Sequence, residues 1–264
     1  MIHMFTKLGS VTLIALLSLS PPQDQASEIA ALKRQVQELR DQQAQMQREL
    51  AAIKNFLQQL VQGAKQQPQG PEIPGLVGAM IPTAGEPAMG SPSAKLMVIE
   101  VSDYQCPYCK RQVQQTFPQL QAEYVKSGKV QYVFVDYPIA QLHPTAARSH
   151  EAAACAGDQG KFWEMHLSLF NGPIAKDDAT LEKQAQAVGL DLAQFKSCLS
   201  SDRHAASIKD SVARMERLGI GGTPMTLLGF TPAPGQPMKV EKYIYGARPY
   251  TDFKSAIDAL LAAK

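Results

Sequence analysis

The amino-acid sequence predicts an α/β fold preceded by a long N-terminal helix. Three observations support this prediction. A seven-residue apolar repeat runs over residues 29–60, strand-like runs bracket a helical pattern after residue 93, and helix signals recur over about 144–218. A strand, a helix and a second strand in succession form a βαβ unit, which implies parallel pairing of the two strands. The later helical region is longer than one crossover requires and predicts an inserted helical subdomain.

The amino terminus has the pattern of an export signal. Lys7 precedes an apolar stretch at 8–19, which has the length of a signal-peptide core and falls short of the ~20 residues of a spanning helix. We therefore predict a signal peptide over residues 1–22 and export to the periplasm or cell envelope. Ser18-Leu19-Ser20 fits a cleavage site, but Pro21 is unfavourable directly after it. An uncleaved membrane anchor is the alternative.

Residues 27–62 are predicted to form a coiled-coil oligomerisation helix, because apolar side chains alternate at spacings of three and four. Glu28 and Glu49 at g positions can face Lys33 and Lys54 at e positions of a neighbouring helix. The pattern favours neither dimer nor trimer. A single amphipathic helix lying on the domain or on a membrane is the alternative. The a positions are Ile29, Val36, Gln43, Leu50 and Leu57, and the d positions are Leu32, Leu39, Met46, Ile53 and Leu60.

Composition changes after Val61 to glutamine, proline and glycine, which predicts a semi-extended linker over 63–92. Residues 76–81 are the candidate for a short edge strand within it. The net charge of +2 and the lack of a basic tract in the sequence give no indication of nucleic-acid binding.

A globular domain is predicted over residues 93–264, with a helical insertion at about 144–218. Pro144 suits the first position of a helix, and Asp191 with Gln194 resembles a capping box. A proline-rich loop at 231–235 suits an antiparallel hairpin between the last two strands. The predicted order is strand 96–102, helix 107–126, strand 129–139, the helical region, strands 225–229 and 242–246, and helix 250–263.

Cys106-Pro107-Tyr108-Cys109 lies where the first predicted strand gives way to a helix. Unpaired N–H groups and the dipole at a helix N-terminus favour a thiolate, so Cys106 is the predicted nucleophile. Cys109 follows one turn later on the same face, less exposed, and is the predicted resolving cysteine. Half of a structural zinc site is the alternative, but the sequence has no second CxxC or HxxxH to complete it.

Cys155 and Cys198 stand apart from this motif. Because an oxidising compartment and an even number of cysteines favour disulfides, we predict a structural bridge between them. It would close a loop of roughly 44 residues and stabilise the fold by about 4 kcal/mol in the chain-entropy model. Two buried free thiols, or a second redox pair, are the alternatives.

Gly222-Thr223-Pro224 follows the helical region and precedes an apolar run. X–Pro bonds adopt the cis form at modest cost, and a cis turn here would present the backbone of Thr223 beside the reactive sulfur. An ordinary trans turn is the other interpretation.

The segment 101–110, Val-Ser-Asp-Tyr-Gln-Cys-Pro-Tyr-Cys-Lys, is similar to the active-site segment of DsbA-like thiol:disulfide oxidoreductases of the thioredoxin superfamily. The segments 160–166, Gly-Lys-Phe-Trp-Glu-Met-His, and 221–224, Gly-Gly-Thr-Pro, also resemble that family, and the resemblance covers about residues 85–264. It implies a thioredoxin fold with an inserted helical subdomain and dithiol-disulfide exchange with proteins outside the cytoplasm. It also implies that Cys106 and Cys109 are the nucleophilic and resolving cysteines, and that Pro224 is the cis proline. The Pro-Tyr dipeptide departs from the best-known oxidases and leaves the oxidising strength open.

The motif and the resemblance together predict an oxidase that accepts electrons from reduced secreted proteins and is reoxidised by a membrane partner. Thr223, Pro224, Pro107 and Tyr108 are the predicted substrate contacts, and no cofactor, metal or nucleic acid is expected. A homo-oligomeric isomerase or reductase kept reduced by a membrane partner is the first alternative, since several thiol sites around one misfolded client favour repeated attack. A non-catalytic peptide-binding chaperone module is the alternative of another functional class. Binding of Cu(I) by the thiol pair is a further alternative.

Other polar residues are predicted to have structural roles. Asp103 at the strand end is interpreted as a turn or cap residue, with proton transfer to Cys109 as the alternative. His143 is predicted to cap a helix, His166 to pack within the subdomain, and Tyr108 to shape the rim over the thiols.

Overall fold

The computed structural model describes residues 22–65 and 70–263, and the chain divides into two units, 1–67 and 68–264. The first unit is described from residue 22 on as one helix, α1 (Pro22–Lys65). Apart from Pro22, the predicted signal segment lies outside the described residues. Among the described helices, none combines the length and the apolar character needed to cross a membrane.

The apolar seam of α1 is exposed along its described length. Seam residues from Ile29 to Leu57 have exposed fractions between 45% and 65%. A helix that exposes apolar side chains on one face is stabilised when that face is covered. The coiled coil stays a prediction, and this exposure is the feature on which it rests.

The second unit is built on a five-stranded sheet in the order β2-β4-β3-β5-β7. Strands β3 and β4 are parallel, as the βαβ pattern predicts, and β5 and β7 continue the sheet in antiparallel fashion. A separate two-stranded sheet pairs β1 with β6. The strands are β1 (Met80–Ile81), β2 (Ala88–Met89), β3 (Leu96–Ser102), β4 (Val130–Asp136), β5 (Met225–Phe230), β6 (Met238–Lys239) and β7 (Lys242–Tyr245).

Helices cover the sheet on both faces. Side chains of β3 alternate between two apolar clusters, with Ile99 and Val101 in one and Leu96 and Val98 in the other. The helices are α2 (Pro107–Gln115), α3 (Phe117–Leu120), α4 (Ala146–Gly157), α5 (Phe162–Asn171), α6 (Asp178–Ala187), α7 (Leu192–Ser200), α8 (Ala205–Arg217) and α9 (Tyr250–Ala262). Helices α4 to α8 form the predicted helical insertion between β4 and β5, so the predicted α/β fold class is confirmed.

Two predicted elements differ from the structure. The predicted helix 107–126 is divided into α2, α3 and a π-helical turn at Gln121–Val125, and the division falls next to Pro118, which lacks a backbone N–H. The predicted linker 63–92 belongs to the second unit from Gly70 on. The proline- and glycine-rich composition of this stretch predicts a linker, but two isolated apolar residues within it, Leu76 and Ile81, are fully buried. Of the suggested edge strand at 76–81, only Met80–Ile81 is a strand, and this β1 pairs with β6 outside the main sheet. The edge strand that this stretch adds to the main sheet is β2.

Candidate active site

The CxxC motif begins α2 directly beyond the carboxyl end of β3. Cys106 is the N-cap residue, with extended backbone, and Pro107 occupies the first helical position, where its missing N–H costs nothing. The amide of Cys106 donates to the carbonyl of Asp103, 3.1 Å away. The central strand thus delivers the first sulfur to a helix N-terminus, as the sequence predicts.

A second loop reaches the same sulfur from the other side. The Thr223–Pro224 bond at the start of β5 is cis, and the carbonyl oxygen of Thr223 lies 3.6 Å from Cys106 Sγ. The structure therefore places Thr223 beside the CxxC motif, although more than a hundred residues separate the two in sequence.

Both active-site thiols are free and mostly covered. Cys106 has an exposed fraction of 5% and Cys109 of 0%. The sequence predicts a more open Cys106, and the loop carrying Thr223 accounts for part of this cover. Tyr108 is 56% exposed, with the guanidinium of Arg111 5.2 Å from its ring centre. Cys106 thus retains a small exposed surface, while Cys109 has none.

The pKa values of the two thiols are shifted in opposite directions. A hydrogen bond from Cys109 lowers the pKa of Cys106 to about 6; burial opposes this effect, while the Thr223 side chain and the amides of Tyr108 and Cys109 add to it. Burial, followed by the interaction with Cys106, raises the pKa of Cys109 well above its ordinary value. These shifts favour the thiolate form of Cys106 and the protonated form of Cys109 near neutral pH.

Glu100 is a functional candidate that the sequence analysis does not identify. Its carboxyl is fully buried in the middle of β3, and the hydroxyl of Tyr132 donates to Oε2. Burial raises the pKa of Glu100 to about 7, with the hydroxyls of Tyr132 and Ser102 opposing that rise. A single carboxylate inside an otherwise apolar strand, Leu-Met-Val-Ile-Glu-Val-Ser, was the signal available in the sequence.

A second buried polar side chain, Ser102, lies near the end of β3. It follows Glu100 by two residues on the same face of β3, and its hydroxyl lowers the pKa of both Glu100 and Cys109. Among the described residues, Glu100 Oε1 has no hydrogen-bond partner. Ser102 Oγ likewise has no hydrogen-bond partner among the described residues, so this face of β3 carries two buried polar atoms without partners.

Asp103 organises the turn before Cys106. Its two carboxylate oxygens accept from the amides of Gln105 and Ile139, each at 2.8 Å, and the second also contacts His143 Nδ1 at 2.8 Å. These bonds fit the predicted turn role for Asp103 and place His143 on the carboxylate instead of at a helix cap.

His166 lies in the core of the insertion. It is fully buried, its Nδ1 lies 3.2 Å from the hydroxyl of Tyr104, and its ring packs edge-on against Trp163 and Phe170. Burial, with a smaller contribution from His150, lowers the pKa of His166 to about 3. A neutral ring held this way has the packing role that the sequence predicts.

Cys155 on α4 and Cys198 on α7 form a disulfide, with their Cα atoms 5.8 Å apart. It ties two helices of the insertion together. Among the described residues, no third His, Cys, Asp or Glu joins Cys106 and Cys109 in a group that could hold a metal ion.

Comparison with known proteins places the second unit in a family. The family model described as Thioredoxin matches residues 83–231. The Na(+)/H(+) antiporter NhaA 3 of Salinispora tropica is 32% identical over 152 residues, which are 57% of this chain and 23% of that protein. The probable disulfide bond formation protein D of Bacillus anthracis is 23% identical over 144 residues, 52% of this chain and 66% of that protein. The chain thus spans less than a quarter of the length of the first of these curated relatives.

The fold is that of solved DsbA structures. The crystal structure of Wolbachia pipientis alpha-DsbA1 superposes with a TM-score of 0.60 and 20% identity, over 68% of this chain and 92% of that one. This likeness confirms the predicted fold.

Proposed function

Because this chain belongs to the thioredoxin family, we propose that it is a thiol:disulfide oxidoreductase that exchanges disulfides with proteins through Cys106 and Cys109. The observation that carries the proposal is the acidity difference between two adjacent thiols, only one of which has any exposed surface. A thiolate is the attacking species in disulfide exchange, and a stable thiolate is also a good leaving group.

The proposed oxidation transfers two electrons from the substrate. A substrate thiolate attacks Cys106 Sγ of the Cys106–Cys109 disulfide, the bond between the two cysteines breaks, and Cys109 leaves with the electron pair. Glu100, the buried carboxyl of β3 with a raised pKa, is the proposed source of the proton that Cys109 then takes up. A second substrate thiolate attacks the substrate sulfur of the mixed disulfide and releases Cys106 as a thiolate. The substrate gains a disulfide, and the enzyme keeps two electrons.

The stability of the Cys106 thiolate supports oxidation of the substrate as the direction of the reaction. At pH 7 a pKa of about 6 ionises about nine tenths of the Cys106 thiol, which stabilises the reduced form by about 1.4 kcal/mol, or about 30 mV. Stabilising the reduced enzyme makes its disulfide a stronger oxidant. A membrane partner of matching chemistry would remove the electrons, and the proposed location is the periplasm or cell envelope.

Four residues beside Cys106 are the proposed contacts for the substrate chain. Tyr108 and Pro107 form one side of the approach to Cys106, and Thr223 with Pro224 forms the other. An extended client chain lying between them would place a cysteine sulfur against Cys106 while Cys109 stays covered.

The exposed seam of α1 favours a second candidate, an oligomeric isomerase. Two or three chains joined through the seam would hold several Cys106 sites near one client, which raises the effective concentration of attacking thiolate. Isomerisation requires the dithiol to be kept reduced, so the direction of electron flow separates the two candidates.

The test uses the full chain in two assays. The oxidised protein should convert a reduced two-cysteine peptide to its disulfide faster than it reactivates a scrambled ribonuclease. Cys106→Ser should abolish peptide oxidation, and the double variant Cys155→Ser with Cys198→Ser is the matched control that should retain it. Faster ribonuclease reactivation by the reduced protein would favour the isomerase, and unchanged peptide oxidation by Cys106→Ser would refute both.

A further inference from the structure

The disulfide of the helical insertion lies beside two further side chains of metal-binding types. Among the described residues, one group offers four ligand atoms that all lie within 4.8 Å of one another: Cys155, Asp158, Cys198 and His204. Asp158 Oδ2 is 3.4 Å from Cys198 Sγ and 2.8 Å from His204 Nε2. Sequence spacing alone does not show this group, because three helices contribute to it.

The group has the dimensions of a tetrahedral site. A zinc ion bound at about 2.3 Å from sulfur and about 2.0–2.2 Å from nitrogen or oxygen places neighbouring ligand atoms roughly 3.3–3.8 Å apart. Cys155 and Asp158 lie within one turn at the end of α4, Cys198 lies in α7, and His204 is the N-cap residue of α8. For all four atoms to surround one ion, the two sulfurs must move apart, and Asp158 Oδ2 and His204 Nε2, now 2.8 Å apart, must separate slightly.

The charges of the group also suit a divalent ion. Two thiolates and one carboxylate carry three negative charges, and Zn²⁺ leaves one, which the guanidinium of Arg203 on Asp158 offsets. The sulfurs are buried at 1% and 2% exposure, whereas the side chains of Asp158 and His204 reach the surface. An ion can therefore enter from the side of Asp158 and His204.

We propose that reduction of the Cys155–Cys198 disulfide creates a site for a thiophilic divalent cation such as Zn²⁺, with two thiolates, one carboxylate and one imidazole as ligands. A dithiol reductant breaks the Cys155–Cys198 bond by supplying two electrons and two protons, and itself becomes a disulfide. Metal binding then releases both thiol protons, because thiolate is the ligand form. While the disulfide is intact, its sulfurs lack that charge and the site is closed.

This site is independent of the active-site pair. The insertion would keep its α4–α7 link in either state, as a covalent bridge under oxidising conditions and as a metal bridge under reducing ones. The Cys155–Cys198 pair would then have two roles, as a structural disulfide when oxidised and as part of a metal site when reduced.

The experiment uses the full chain with Cys106→Ser and Cys109→Ser, so that the CxxC pair contributes no thiol. The protein is reduced with a phosphine and titrated with Zn²⁺ against a chromophoric chelator, then with Co²⁺, whose visible bands report tetrahedral thiolate coordination. The reduced protein should bind one ion per chain, and the oxidised protein at least tenfold more weakly.

Side-chain variants separate a built site from adventitious thiol binding. Asp158→Asn and His204→Gln should each weaken Zn²⁺ binding by at least tenfold, while Asp210→Asn, an exposed acidic residue of α8 outside the group, should leave it unchanged. Equal affinity in all three variants, or in the reduced and oxidised proteins, would overturn the proposal. An unfolded reduced chain would also bind through its thiols with no dependence on Asp158 or His204, and circular dichroism identifies that result as a failure of the proposal.

Discussion

The hydrogen bond between the two active-site thiols offers the sharpest test of the proposed chemistry. Cys109 is the largest cause of the lowered pKa of Cys106, which lies at about 6. A hydrogen bond to a charged group contributes about 1.5–3 kcal/mol and one pKa unit corresponds to about 1.36 kcal/mol. Cys109→Ala should therefore raise the pKa of Cys106 to about 7–8. At pH 7 the thiolate fraction falls from about nine tenths to between about a half and a tenth.

The assay is the rate of iodoacetamide alkylation of Cys106 as a function of pH, with the modified peptide identified by mass spectrometry. Cys155 and Cys198 are bridged, so Cys106 is the reactive cysteine of the Cys109→Ala variant. Cys109→Ser is the matched control, because its hydroxyl restores a donor at the same position. It should titrate closer to the unmodified protein than Cys109→Ala does.

Two results would refute the reasoning. If Cys109→Ala titrates at the same midpoint as the unmodified protein, the thiol hydrogen bond does not set the acidity. If the unmodified protein itself titrates near the free value of about 8.5, Cys106 is not activated and the proposed oxidase loses its physical basis.

Two further predictions concern the buried carboxyl and the helix. The pKa of Glu100 rises from 4.5 to about 7 on burial, so the folded state disfavours its ionised form and stability should fall by about 3 kcal/mol as pH rises from 4.5 through 7. Glu100→Gln should remove that part of the pH dependence in urea unfolding at pH 4.5 and 8, and parallel profiles for the two proteins would contradict the assignment. Leu32→Glu with Ile53→Glu on the seam should lower the molar mass measured by light scattering to that of one chain. The matched pair Ala31→Glu with Ala52→Glu, which adds the same charges beside the seam, should leave the mass unchanged, and equal masses for both pairs would count against the coiled coil.

Much of the fold follows from local patterns in the sequence. The parallel βαβ unit, the helical insertion and the long first helix each have a period or a cap that can be read over about ten residues. The boundary of the second unit could not be read in that way, because Leu76 and Ile81 are isolated apolar residues in a proline- and glycine-rich stretch and their burial depends on partners far along the chain. Glu100 was missed for a related reason. The pKa of a carboxyl in a strand depends on how deeply the fold buries it and on which groups surround it.

Local sequence is enough to identify the candidate reactive atoms. A CxxC motif between a strand and a helix places Cys106 at unpaired amides whatever the rest of the chain does, because that electrostatic effect acts within one turn. The surroundings of the two cysteine pairs depend instead on how the whole chain packs. The backbone of Thr223 lies 3.6 Å from Cys106 Sγ, and the Asp158 and His204 side chains lie beside Cys155 and Cys198. Most of these contacts join residues dozens to more than a hundred positions apart, and distance along a chain carries no information about distance in space until the core has packed.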